Sequence, residues 1–181
     1  MGMNALQEDI DQFEKSLNSF ALAHELPIED WFNNPDHLAI KCADRKDFDE
    51  TVRSYKPRAV GRQVSGVDMH GRTLATAQLE TPLQVGSLGT VEWLEIMEPR
   101  PEKVGKGLVG LEHIEFYFPF FKRVRTVLDN AGITYEEPQD NDHHKCIVVV
   151  FNKKGQEFKL NDYPLGKIVA QELDEGMSYL L

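Results

Sequence analysis

The sequence contains few cysteines, few basic residues and no long apolar run. Its two cysteines, Cys42 and Cys146, show no paired spacing, so we expect two reduced thiols in a cytoplasmic protein. The chain has 20 lysines and arginines but 30 aspartates and glutamates. The resulting net charge of −10 argues against a nucleic-acid partner, because phosphate contacts need clustered basic side chains. Apolar runs such as CIVVVF are far too short to cross a bilayer, so we predict no membrane partner.

Motifs of several well-known chemistries are also missing. The chain has no glycine-rich phosphate loop, no Cys-x-x-Cys pair and no serine-elbow motif. Its N-terminus is acidic and amphipathic, without the basic start and apolar core of a secretory signal. The hydrophobic content of 41% is nevertheless ordinary for a globular protein, and 181 residues are enough to bury a core.

Hydrophobic periodicity predicts a helix followed by two units of similar order. The helix covers residues 5–23, where apolar side chains recur at helical spacing. The first unit has a strand, a helix with Asp44 as its N-cap, and three short strands. After a connector rich in proline and glycine, EPRPEKVGKGLVG, the same order returns and a C-terminal helix closes the chain. We therefore expect one globular domain made of an N-terminal helical segment (1–35), a first module (36–100) and a second module (101–181).

Turn and cap residues refine these boundaries. Pro119 suits the first turn of the helix in the second module, and Gly132 suits its C′ position. The segment MHGR predicts a turn between two strands of the first module. In the second module we expect ITYEEP, KCIVVVFN and QEFKLND to form the three later strands. The adjacent His143 and His144 are expected in a loop or at an edge, since neighbouring strand residues point opposite ways.

A histidine stands early in the first strand of each unit. Because residues i and i+2 share one face of a strand, His37 lies with Lys41, and His113 lies with Glu115 and Tyr117. The opposite faces are apolar and are expected to pack against the helices. A polar face of this kind either lines a wet cavity or faces solvent, and periodicity alone does not decide between them. We expect the two imidazoles to converge on a shared polar site.

The last strand of each unit also has a polar face. Trp93 and Glu95 share it in the first unit, and Glu157, Lys159 and Asn161 share it in the second. An ionised carboxylate among apolar neighbours needs a partner, since burying an unpaired charge is costly. For Glu95 that partner is a metal ion, a basic side chain or water.

Several segments resemble known families. LEIMEP and FNKKGQEFKL are similar to the module endings of the vicinal-oxygen-chelate superfamily, which includes glyoxalase I, methylmalonyl-CoA epimerase and extradiol dioxygenases. PDHLAIKC, LETPLQV, LEHIEFYFP and FKLND resemble, in the same order, segments of the YecM-like proteins, over roughly residues 30–170. The resemblance implies an α+β fold, in which two βαβββ modules form a curved mixed sheet around a cleft.

The same resemblance implies a metal site. His37, Glu95 and His113 fall on three of the four ligand positions of the superfamily, and two histidines with one carboxylate suit divalent Zn, Mn, Ni or Fe. The fourth position falls on Lys159, whose ammonium group has no lone pair to offer. Lys159 could instead pair with Glu95 and replace the metal. YecM-like proteins are expected to have histidines near Thr81 and Asn161, and this sequence has neither.

Two functions follow as alternatives. The first is a divalent-metal-dependent enzyme of lyase, isomerase or dioxygenase type that acts on a small oxygen-rich substrate, with a glutamate as catalytic base. The second is a metal-free protein that binds a small molecule in the same cleft. A homodimer, or docking of the N-terminal helix on another chain, also stays open. The candidate bases are Glu95, Glu80 and Glu115, and the candidate substrate-binding residues are Lys41, Trp93, Tyr117, Lys159 and Asn161.

Overall fold

The computed structural model describes residues 3–60, 64–69, 72–104, 107–138 and 145–174. Its helices are α1 (Met3–Ala23), α2 (Ile28–Trp31), α3 (Arg45–Tyr55), α4 (Phe121–Asn130) and α5 (Leu165–Asp174). Its strands are β1 (Pro35–Lys41), β2 (Val64–Met69), β3 (Arg72–Gln84), β4 (Thr90–Met97), β5 (Gly110–Tyr117), β6 (Cys146–Val150) and β7 (Glu157–Asn161). Within these residues no helix has the length and apolar character needed to span a membrane.

The described strands form one curved mixed sheet in the order β2-β3-β4-β1-β5-β7-β6. Each module begins and ends with neighbouring parallel strands, since β1 pairs with β4 and β5 pairs with β7. The two modules meet where β1 pairs antiparallel with β5. Hydrogen bonds between these two strands therefore join the modules of one chain into a single sheet. This arrangement confirms the expected α+β fold.

The second module is less regular than its sequence predicts. The segment ITYEEP was expected to form a strand, but it contributes an isolated bridge between Glu136 and Val148. Pro119 lies before α4 rather than in its first turn, because the helix begins at Phe121 after Phe120 as N-cap. Gly132 takes the predicted C′ position with φ of +67°. The predicted MHGR turn and the pair His143 and His144 include residues outside the described ranges.

The N-terminal helix α1 belongs to the core of this chain. Five of its apolar residues recur at helical spacing and are completely buried. The ring centroids of Phe13 and Phe151 are 4.9 Å apart. The helix contacts β5 and so covers one face of the sheet. Its apolar face is therefore already used inside the molecule, which argues against docking on another chain. The completely buried residues are Leu6, Ile10, Phe13, Leu17 and Ala21.

The two faces of the central strands have opposite character. On β1 and β5 the residues Leu38, Ile114 and Phe116 are completely buried in the apolar core under the helices. His37 and His113 alternate with them and so lie on the other face. That second face is partly covered by α5, whose residues Leu165 and Val169 pack against Trp93 of β4.

The turn between β3 and β4 attaches α1 to the sheet. The N–H and hydroxyl groups of Ser87 both donate to Glu14 Oε1 at 2.7 Å. Gly86 has φ of +51°, and a Cβ atom there would overlap the Glu14 carboxylate. Gly132 also has positive φ, but a Cβ atom there would meet no atom within 4 Å.

These two glycines provide a matched test of the attachment. Gly86→Ala and Gly132→Ala should each cost about 1–2 kcal/mol of backbone strain. Gly86→Ala should lower the free energy of unfolding by about 1 kcal/mol more, because it also displaces the Glu14 hydrogen bonds. Urea denaturation of both variants measures the difference. Equal losses would show that the contact between Glu14 and Ser87 contributes nothing to stability.

Candidate metal centre

Strand register brings the two histidines together. On β1, His37 lies opposite Trp93 of β4 on one side and Glu115 of β5 on the other. Two residues further along β1, Ala39 lies between Glu95 of β4 and His113 of β5. The imidazole rings of His37 and His113 stand 5.8 Å apart between centroids, and the two residues are 4% and 1% exposed. The expected convergence of the two imidazoles is therefore confirmed.

Three side chains place metal-ligating atoms close together. One donor atom each from His37, His113 and Glu115 lie within 4.8 Å of one another. Among the described residues, no other group of histidine, cysteine, aspartate or glutamate side chains brings three donor atoms this close together. Two imidazoles and a carboxylate form the donor set typical of sites for first-row divalent metals with open positions.

His37 is held on both sides by carboxylates. Its Nδ1 atom lies 2.9 Å from Asp36 Oδ2, and its Nε2 atom lies 3.5 Å from Glu115 Oε2. Burial alone would lower the pKa of His37, but the charge of Glu115 and the hydrogen bond to Asp36 raise it to about 9. Glu115 in turn accepts a hydrogen bond of 2.6 Å from Asn161, and the nearby positive charges lower its pKa despite burial. Without a bound ion these groups form a paired, ionised cluster.

His113 is in the opposite situation. Both of its ring nitrogens are buried and have no hydrogen-bond partner, and the same holds for Asn161 Oδ1. Burial and the positive charge of Lys159 lower the pKa of His113 to about 4, so the ring is neutral at physiological pH. A neutral imidazole offers a lone pair, and unpartnered buried polar atoms are rare in folded proteins. These atoms of His113 and Asn161 are therefore available to a ligand, and a neutral imidazole is a donor that a metal ion accepts.

Lys159 occupies the position where the resemblance expects a fourth ligand. It lies opposite Glu115 across the parallel pair of β5 and β7. Burial would lower its pKa, but the charges of Glu115 and Glu95 raise it, so the ammonium group stays positive. A fixed positive charge at this place opposes a bound cation.

The predicted ligand Glu95 lies next to this group. It shares the polar face of the sheet, and its charge contributes to the raised pKa of both His37 and Lys159. Its oxygens are not among the three convergent donors, where Glu115 stands instead. Its ligand role therefore stays a prediction.

The other candidate residues lie in different surroundings. The Nζ atom of Lys41 lies 3.3 Å from Glu112 Oε1 and so forms an ion pair inside the protein. Tyr117 lies opposite Asn161 in the strand register, and Asn161 Nδ2 donates to Asp36 Oδ2 at 3.4 Å. Glu80 is exposed in the irregular part of β3, where the register with β4 shifts. Of the proposed bases, Glu115 is thus in the donor cluster, while Glu80 lies on an exposed stretch.

Two acidic residues of the site were not predicted from the sequence. Asp36 contacts His37, and Glu112 Oε2 lies 3.7 Å from His113 Nδ1. Strict strand alternation assigns residues i and i+1 to opposite faces, so an acid directly before a histidine is expected to point away from it. A signal was nevertheless present, because an acid precedes the first-strand histidine in both modules.

Comparison with known proteins identifies the family. The family model described as YecM protein matches residues 2–172. A structural-genomics protein, EC4020, has a TM-score of 0.76 at 19% identity, covering 94% of this chain and 92% of that one. Comparison with the curated proteins gave no match.

More distant solved structures share the fold. Methylmalonyl-CoA epimerase from Mycobacterium tuberculosis has a TM-score of 0.51 at 14% identity, covering 82% of this chain and 99% of that one. A xylose isomerase-like TIM barrel/4-hydroxyphenylpyruvate dioxygenase fusion protein has a TM-score of 0.50 at 15% identity, covering 77% of this chain and 28% of that one. Both neighbours belong to the vicinal-oxygen-chelate superfamily. The chain thus belongs to the YecM family and has the vicinal-oxygen-chelate fold.

Proposed function

We propose that this protein is a divalent-metal-dependent enzyme of lyase, isomerase or dioxygenase type, acting on a small oxygen-rich substrate. The observation that carries the proposal is His113, which is completely buried beside His37 and Glu115 while both its ring nitrogens lack a hydrogen-bond partner. Such a group is costly in a folded protein unless it serves a ligand. The fold of epimerase and dioxygenase structures supports the same class of function.

His37, His113 and Glu115 would hold the ion, which leaves Glu95, the other carboxylate predicted as a ligand, available for a different role. Zn, Mn, Ni and Fe all accept imidazole and carboxylate donors, so the donor set alone does not choose among them. A bound divalent ion would act as a Lewis acid that stabilises negative charge developing on a substrate oxygen.

Neighbouring residues of the chain hold these side chains in place. Asp36 fixes the ring of His37 through Nδ1, and Asn161 holds Glu115 through a hydrogen bond of 2.6 Å. The N–H group of Leu165, at the start of α5, donates to the same Asp36 oxygen at 2.9 Å. Helix α5 is thereby attached beside His37 and covers part of the polar face.

Proton transfer requires a carboxylate that is not used as a ligand. If Glu115 binds the ion, Glu95 is the proposed base, since it shares the polar face and acts electrostatically on His37. Glu80 is the more remote candidate, because it is exposed. The substrate would meet Trp93, Tyr117 and Lys159, whereas Lys41 is paired with Glu112.

A metal-free binding protein is the second candidate function. It is supported by the charges at the site, which are already paired without a metal ion. His37 pairs with Asp36 and Glu115, and the positive Lys159 takes the fourth ligand position. In this function a small molecule would occupy the polar cleft, with Lys159 and Asn161 as polar contacts and Trp93 as an apolar wall.

Thermal unfolding in the presence of divalent metals separates the two functions. With Zn²⁺, Mn²⁺, Ni²⁺ or Fe²⁺ at one hundred times its dissociation constant, binding should stabilise the protein by about 2.7 kcal/mol. For a domain of this size the midpoint should rise by roughly 5–10 °C. The His113→Ala variant should lose the rise, because it removes a donor from the convergent group.

His24→Ala is the matched control for that measurement. His24 is exposed at the end of α1, so its removal should leave the metal-induced rise unchanged. A rise that persists in His113→Ala would place the metal elsewhere. Wild-type protein with no rise for any of the four metals would favour the metal-free function.

The charge of Lys159 makes a second prediction. Lys159→Glu replaces a positive charge by a carboxylate at the fourth ligand position, so divalent-metal affinity should increase at least ~10-fold, which corresponds to about 1.4 kcal/mol. Lys159→Met, which removes only the charge, should give a smaller increase. Calorimetric titration of metal-free protein measures both.

Lys153→Glu serves as the control for net charge, since Lys153 is exposed in the turn between β6 and β7. It should change the affinity by less than the Lys159 variants, because solvent screens exposed charges. Unchanged or weaker binding by Lys159→Glu would mean that Lys159 does not act on the ion.

A further inference from the structure

Two register shifts interrupt the pairing of β1 with β5. One lies between Pro35 and His37, so Asp36 has no direct partner on β5. The other lies between Ala39 and Ile40, which leaves Glu112 of β5 without a direct partner on β1. A bulge of this kind re-aims a side chain that strict alternation would send to the other face. Each bulge thus turns an acid towards the histidine that follows it in sequence.

The two acid–histidine pairs differ in their present contact. Asp36 is within hydrogen-bond distance of His37 Nδ1, at 2.9 Å. Glu112 Oε2 lies 3.7 Å from His113 Nδ1, just beyond a hydrogen bond. The same nitrogen is involved in both pairs, so the second pair is a looser copy of the first.

Glu112 has a firm attachment of its own. Lys41 Nζ lies 3.3 Å from Glu112 Oε1, and both side chains are 17% exposed. The other carboxylate oxygen, Oε2, is the one that faces His113. Lys41 therefore holds the carboxylate in place without occupying the oxygen that meets the imidazole.

We propose that Glu112, held by Lys41, is a positioning residue that accepts the Nδ1–H of His113 and leaves Nε2 as the free donor nitrogen. This role rests on the proposed function for its use in metal binding. At 3.7 Å the charge of the Glu112 carboxylate already favours the Nδ1–H tautomer in metal-free protein. The contact would shorten to a hydrogen bond when a ligand takes up Nε2, as Asp36 already bonds His37. Histidines that bind metals usually donate their other N–H to a carboxylate, which fixes both tautomer and ring orientation.

The experiment reads the tautomer of His113 by NMR of histidine labelled with ¹⁵N, in the full-length metal-free protein. Wild-type protein should show the Nδ1–H tautomer. Glu112→Met, which has a similar size but no acceptor, should shift the population towards Nε2–H. Calorimetric titration with Zn²⁺ alone should then show an affinity ~10-fold weaker than wild type. Glu112→Gln, whose amide oxygen can still accept a hydrogen bond from Nδ1–H, should restore the Nδ1–H tautomer.

Glu92→Met is the control, because Glu92 is exposed on the opposite face of β4 and should affect neither measurement. A wild-type spectrum dominated by Nε2–H would overturn the proposal without any variant, even if Glu112→Met fails to fold. The proposal would also be overturned if folded Glu112→Met had the same His113 tautomer and the same zinc affinity as wild-type protein. Wild-type protein that shows the Nδ1–H tautomer but binds no Zn²⁺ supports the role of Glu112, while counting against the proposed function.

Discussion

The antiparallel pairing of β1 with β5 is the contact on which the rest of the site depends. It joins the two modules and sets Ala39 directly opposite His113, so that His37 and His113 lie on adjacent strands of one face. Each module alone supplies one histidine and a polar strand face, and neither could assemble three donors. Because side chains alternate along a strand, a slip of one residue in this pairing would send His113 into the apolar layer.

Burial and charge then give the two histidines different properties. His37 is surrounded by acids, which raise its pKa, while His113 lies beside Lys159 and has a lowered pKa. One ring is therefore a cation in an ion-paired cluster, and the other is a neutral group with unpartnered nitrogens. A divalent ion at this site would require His37 to give up its proton, because a metal ligand needs a neutral imidazole.

The bulges in the same strand pair add the supporting carboxylates. Asp36 links His37 to the first residue of α5, and Glu112 links His113 to Lys41. Both acids sit at the junction of the modules, where the irregular register turns them towards the imidazoles. The contact that unites the modules thus also supports the donor side chains.

The amino-acid sequence determined most of the elements, the repeat of two modules and the polar faces bearing His37 and His113, because these follow from local periodicity. It did not reveal that Glu115 rather than Glu95 completes the convergent donors, since that depends on which strands become neighbours. It did not show that Asp36 and Glu112 turn towards the histidines, because a bulge is a property of the paired strands and not of either one. Sequence patterns therefore defined the faces, while tertiary pairing decided which side chains meet, since distances across a sheet are set by register between segments far apart in the chain.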